Sequence, residues 1–146
     1  MQSSTTSAVE VMKTRKVIAV VGASKNPEKE AHTVPLYLKE HGYRIVPVNP
    51  TADRIFGEKA FPSLASLPEN LAKEVEVIEV FRPSEDLPDV ARQVVELSGR
   101  CGRTYVFWSQ TGLENDEAKA ILAAGGIPFV MNACMRVVHG LMKSAG

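Results

Sequence analysis

The sequence predicts a three-layer α/β fold, with a parallel sheet of about five strands and helices on both faces. Three observations predict it. Short apolar runs alternate with longer stretches whose apolar residues recur at helical spacing. The runs are apolar throughout rather than alternating, as strands covered on both faces require. The 146 residues show no internal repeat and no linker long enough to divide them, which predicts a single core.

Taken in order, residues 1–14 read as a flexible tail or a short helix over Ala8 to Thr14, and residues 15–146 as the folded domain. Val17 to Val21, between Lys16 and Gly22, suits a central strand. Beyond the loop from Gly22 to Glu30, helical spacing links Val34, Tyr37, Leu38 and His41 and closes at Gly42. Pro35 fits that helix only near its first turn, because it has no N–H to give. Arg44 to Val48 is the second strand, and Pro47 within it points to a sheet edge. Ile55 to Phe61 reads as a short return strand, and Ser63 to Lys73 as a short helical segment broken at Pro68. Val75 to Phe81 is the next strand. Leu87, Val90, Ala91, Val94 and Leu97 then share one helix face, with Ser84 or Asp86 as N-cap and Pro88 in the first turn. Thr104 to Trp108 is a strand, and Ala118, Ile121, Leu122 and Gly125 space a helix capped by Asn115. Pro128 to Met131 is the last strand, and Cys134, Val137, Val138 and Leu141 give the closing helix its face.

Composition narrows the function. Lys plus Arg and Asp plus Glu each number 17, so no basic excess marks nucleic acid as a partner. No apolar run approaches the ~20 residues of a membrane span, and the first seven residues lack the regions of a secretion signal. Cys101 and Cys134, in unrelated contexts, form neither a disulfide framework nor a zinc pattern, which fits the cytoplasm. His32, His41 and His139 lack metal-ligand spacing, and no Gly-x-Ser-x-Gly elbow occurs. His41 reads as a packed helix residue. Cys134 reads as a small packed residue, at a helix start where a thiol also gains reactivity.

In open parallel sheets, ligands bind beyond the carboxyl ends of the strands. Arg15, Lys16, Arg44 and Arg103 precede strands and fall at the opposite end. Gly22 to Lys29, Asn49 to Arg54, Arg82-Pro83, Ser109 to Gly112 and Asn132 follow strands and should converge on one crevice. Gly22 permits a sharp turn and close approach, Ala23 and Ser24 offer N–H donors, and Lys25 and Lys29 add positive charge. The helix behind this loop aims its N-terminus at the same place, so the chemistry is that of a phosphate site. Ser24 and Pro27 stand where a dinucleotide fingerprint would place its later glycines. Asn49-Pro50 ends the second strand where an NAD site offers a carboxylate to the ribose, so a phosphorylated ribose is tolerated there. Arg54 is a candidate partner for that phosphate. Coenzyme A and NADP both carry one.

Val20 to Lys29 resembles the opening loop of the small CoA-binding domain family, a domain that also opens the alpha subunit of succinyl-CoA synthetase and the ADP-forming acyl-CoA synthetases. His41 to Pro50 is similar to that family's second-strand motif. Gly57, Ser63-Leu64, Val80-Phe81-Arg82, Trp108, Gln110, Gly112 and Met131 to Cys134 fit its spacing, from about Lys16 to about His139. The resemblance implies a Rossmann-like domain that binds coenzyme A or an acyl-CoA. It implies that Gly22, Ala23 and Ser24 hold the pyrophosphate, bordered by Asn26, Pro27 and Lys29. It implies that Val48, Asn49 and Pro50 flank the adenosine, that Phe81, Arg82 and Pro83 cover the ligand, and that Trp108, Gln110 and Gly112 lie near the pantetheine arm.

This sequence departs from the family in two places. Glu76 and Glu79 stand where Asp is usual, and Ala133 stands where many members carry Arg. The synthetases' catalysis rests on large additional domains and is not implied. The expectation is therefore binding without catalytic machinery, with a small-molecule CoA ligand, no nucleic acid and no membrane. A protein partner or a homo-oligomer stays open, as do an NAD(P)-dependent oxidoreductase on the same fold and an interaction protein with no ligand.

Overall fold

The computed structural model describes residues 7–145. Its elements are α1 (Ala8–Thr14), β1 (Val17–Val21), α2 (Glu30–Glu40), β2 (Arg44–Val48), β3 (Arg54–Ile55), β4 (Glu58–Lys59), α3 (Glu69–Glu74), β5 (Val77–Val80), α4 (Leu87–Cys101), β6 (Val106–Ser109), α5 (Asp116–Ala124), β7 (Phe129–Val130) and α6 (Met135–Ala145). Single 3-10 turns, Leu64–Ser66 and Ser84–Asp86, lead into α3 and α4. Five strands pair in the order β2-β1-β5-β6-β7, all parallel. The chain leaves β1 toward one side and returns to its other side as β5. Between those two strands the connections part, and a crevice opens at their carboxyl ends.

Two apolar layers sandwich the sheet. Ala19, Val46, Ile78, Val80 and Phe107 face α4 and α5, where Leu87, Val90, Val94, Leu97 and Leu122 are buried. Ile18, Val20, Ile45, Val77, Val106 and Trp108 face α1, α2 and α6, meeting Met12, Val34, Leu38 and Met135. Each such aliphatic side chain contributes roughly 1.5–3 kcal/mol through burial. The two-sided covering explains the unbroken apolar runs. Pro47 lies on β2, the edge strand, where its missing N–H costs no ladder bond. No helix among the described residues is long and apolar enough to cross a membrane.

The basic residues that precede strands have structural work at the amino ends. Glu76 Oε1 accepts the Lys16 and Val17 amides at 2.7 and 3.1 Å, and its other oxygen lies 3.8 Å from Arg103. Arg103 Nε donates to the Val75 carbonyl at 3.0 Å.

Several sequence expectations change. The tail predicted over residues 1–7 lies outside the described residues except for Ser7, whose hydroxyl caps α1 by accepting the Glu10 amide. The expected return strand over Ile55 to Phe61 is a two-residue hairpin, β3–β4, while Phe61 bridges to Val48. The closing helix buries Met135, Val138 and His139, whereas Val137 and Leu141 are each 60% exposed. The apolar spacing of α6 includes both sets, and periodicity alone could not choose between them. His41 is exposed at the end of α2, stacked on Tyr37 at 4.0 Å, rather than packed in the core.

Candidate functional site

The crevice at the carboxyl ends contains two cavities that meet at Arg82. The first, of about 570 Å³, runs between the start of α2 and the loops after β5 and β6; Asn26, Lys29, Phe81, Arg82, Pro83 and Gln110 line it. The second, of about 250 Å³, lies over the ends of β1 and β2, lined by Gly22, Val48, Pro50, Leu64, Arg82 and Asp86 among others. The larger volume is that of an ordinary small-molecule site.

Gly22 stands between strand and loop with φ of +87°. A Cβ added there would lie 2.6 Å from the Phe81 carbonyl oxygen. The glycine therefore lets β1 and β5 stay paired to their last residues, where Phe81 N–H donates to Val21 at 2.9 Å. The loop beyond it is braced from within. Ser24 N–H donates to the Ala31 carbonyl at 3.2 Å, Ser24 Oγ accepts the Asn26 amide at 3.0 Å, and His32 Nδ1 lies 2.7 Å from the Ser24 carbonyl. Because that carbonyl can only accept, Nδ1 carries the proton. The Ala31 carbonyl is open to Ser24 because residue 35, its normal i+4 donor, is proline. Pro35 thus sits one turn deeper than its chemistry favours and releases an acceptor that ties the loop to the helix.

The expectation that Ser24 offers its amide to a ligand is therefore corrected: that N–H is already used. The amides of Ala23, Lys25, Glu30 and Ala31 have no acceptor among the described residues, and Glu30 and Ala31 line the larger cavity. Asn26 completes an Asx turn, its Oδ1 accepting the Glu28 amide at 3.0 Å.

Asn49 is a clamp. Its Nδ2 donates to the Ala23 carbonyl at 2.8 Å, while Oδ1 accepts Thr51 N–H at 2.8 Å, Thr51 Oγ1 at 3.2 Å and Ala52 N–H at 2.9 Å. The side chain fastens the second loop to the first. Asn49→Ala should cost about 2–3 kcal/mol in a urea melt, from one lost donor and several stranded amides. Asn49→Asp, which keeps the acceptor, should lose about half as much; equal losses would contradict the clamp.

Trp108 and Gly112, implied by the resemblance, and Arg54, read from its charge, line neither cavity. Trp108 has no exposed surface, and its Nε1 donates to the Ala133 carbonyl at 2.8 Å, so it holds the last loop from the core. Gly112 gives its N–H to Asn132 Oδ1 at 2.6 Å, tying the loops after β6 and β7. Arg54 lies on the β3–β4 hairpin with its guanidinium on the Gly57 carbonyl at 3.1 Å, and lines neither cavity. Pro27 borders the loop without lining either. Arg82 is the arginine common to both cavities, paired with Asp86 at 2.9 Å. Both partners are exposed, so this pair is weak and exchangeable.

Sequence reasoning passed over two features. Leu113 lines the first cavity, and Asp89, Val90 and Gln93 of α4 line the second. The α4 residues were readable from topology, since a helix that follows a strand starts at the ligand end. The second feature is Glu79. It is wholly buried, with neither carboxylate oxygen bonded, and burial pushes its carboxyl up to about 8. An acidic residue in an otherwise apolar strand was the available signal.

Parallel order, two covered faces and a crevice at the switch point define a Rossmann-like α/β protein. The chain belongs to the CoA binding domain family, whose match spans residues 16–140. It is 38% identical over 134 residues to the uncharacterized protein YneT of Bacillus subtilis, covering 92% of this chain and 93% of that one. A solved structure from Thermus thermophilus, cell-free ID.343, superposes with a TM-score of 0.79 at 37% identity, covering 94% of this chain and 99% of the other. An ADP-forming acetate–CoA ligase of Archaeoglobus fulgidus is 32% identical over 83 residues, which are 56% of this chain but 12% of the ligase.

Proposed function

We propose that this protein binds coenzyme A or an acyl-CoA across its switch point and has no catalytic machinery of its own. The observation that carries the reading is the set of unpaired amides at Ala23, Lys25, Glu30 and Ala31, beside a loop flanked by two cavities. A diphosphate supplies the acceptors these donors lack, at the positive end of α2. Arg82 and Lys29 add charge, Arg82 exchanging Asp86 for phosphate. The smaller cavity, with Val21, Val48, Pro50 and Leu64, offers apolar surface to the adenosine. The larger, with Phe81, Pro83 and Leu113, offers it to the pantetheine arm. Gln110 lines that cavity, and its buried, unbonded Nε2 is the donor that an amide carbonyl of the arm would meet once the side chain turns toward it.

Thermal stability in the presence of CoA, dephospho-CoA, NAD and NADP tests the reading. A ligand at 100 times its Kd adds about 2.7 kcal/mol. CoA should stabilise most and NAD least. Preferential stabilisation by NADP would overturn the proposal.

A further inference from the structure

Glu79 and Gln110 together hold the three buried side-chain polar atoms that lack a partner among the described residues: both carboxylate oxygens of Glu79 and the Nε2 of Gln110. They stand on neighbouring strands. The β5–β6 register sets Glu79 against Trp108, and Gln110 follows two residues on, so both side chains project from the same face of the sheet. Diagonal neighbours of this kind lie within reach of long side chains. Glu79 is the deeper of the two, between Val20 and Trp108, with no exposed surface. Gln110 is 2% exposed and lines the larger cavity.

The amide of Gln110 cannot choose its orientation freely. Its Oε1 accepts the Met135 N–H at the start of α6, at 3.3 Å, so the NH2 group is the end left to donate. Two acceptors compete for it: a carbonyl of a ligand in the cavity, and the carboxylate of Glu79 when that group is ionised. A neutral Glu79 is a weaker acceptor and carries an O–H donor of its own, so its pull on the amide is small.

Resting on the CoA reading above, we propose that Glu79 is a proton switch for the ligand site, leaving the Gln110 amide to the ligand while protonated and drawing it away on ionisation. Burial holds the carboxyl in its neutral form up to about pH 8, and no charged neighbour contributes to that shift. The titratable side chains in the same packed layer are Cys134 at the start of α6, Tyr37 on α2, Tyr43 just before β2 and the buried His139 of α6, whose Nδ1 lies 2.9 Å from the Tyr37 hydroxyl. Unlike these, Glu79 stands on the strand beside Gln110, on the same sheet face, with neither carboxylate oxygen bonded. The switch turns at mildly alkaline pH and weakens binding as the pH rises.

Calorimetry of acetyl-CoA binding between pH 6.5 and pH 9 tests this, with the pantetheine-free nucleotide 3′-phospho-ADP as the reference for titrations common to both ligands. Relative to that reference, wild-type affinity for acetyl-CoA should fall about tenfold across the range. Glu79→Gln should stay flat at the low-pH value. Gln110→Met should start weaker and also stay flat. Parallel profiles for wild type and Glu79→Gln would overturn the switch while leaving CoA binding intact, whereas absent binding at pH 6.5 would overturn the underlying reading. A readout without ligand accompanies it: the side-chain amide resonance of Gln110 in 15N-labelled protein should move with pH in wild type and not in Glu79→Gln. An immobile wild-type resonance would refute the pairing.

Discussion

Replacing Glu79 by Gln should make the protein more stable at pH 9 by on the order of 4 kcal/mol, with almost no gain at pH 4. In the unfolded chain this carboxyl titrates at its ordinary 4.5, and in the folded chain burial moves it up to about 8. Between those values the folded state holds a proton that the unfolded state has lost. Stability therefore falls as pH rises through that window and levels off above it. Glutamine has the same shape and no proton to lose, so the variant escapes the fall. Pairing of the ionised carboxylate with Gln110 would trim the loss without changing its sign. Urea melts at several pH values measure the difference. A wild-type minus variant gap that does not grow between pH 5 and pH 8 would contradict the burial of an unpartnered acid.

Gly22→Ala should cost about 3 kcal/mol or more and abolish CoA binding. Two penalties add. At φ of +87° an alanine is strained by roughly 1–2 kcal/mol. Its Cβ would also meet the Phe81 carbonyl oxygen at 2.6 Å, and overpacking against backbone adds about 1–3 kcal/mol. Relief requires the ends of β1 and β5 to separate, which opens the join between the two cavities. Gly126→Ala is the control. Gly126 also has a positive φ, of 74°, but an added Cβ meets nothing within 4 Å. If the two variants lose the same stability, the close approach of β1 to β5 is not what Gly22 protects.

Most of the fold was legible because its signals are local. The covered strands show as unbroken apolar runs, α4 shows the spacing of Leu87, Val90, Val94 and Leu97, and Asn115 caps α5 by accepting the Ala118 amide at 2.9 Å. The site was legible only to the level of its loops. Topology places residues at the carboxyl end but does not say which way each points. Trp108 and Gln110 share a strand face, yet one is sealed beneath α6 and the other borders the cavity. Ser24 and Asn49 have the chemistry of ligand contacts and spend it on the loop itself. Pro35 read as an awkward helix residue, and only the three-dimensional arrangement shows its freed acceptor at Ala31 holding Ser24. Such long-range pairings leave no periodic trace in a single sequence.

The loop after β1 and the first turn of α2 should together hold a diphosphate. A crystal structure of the protein with CoA decides this. Phosphate oxygens should lie within about 3 Å of the Ala23, Lys25, Glu30 or Ala31 amides, with Arg82 turned from Asp86 toward them. A ligand seated elsewhere, with those amides bonded only to water, would rule out a diphosphate site at this loop.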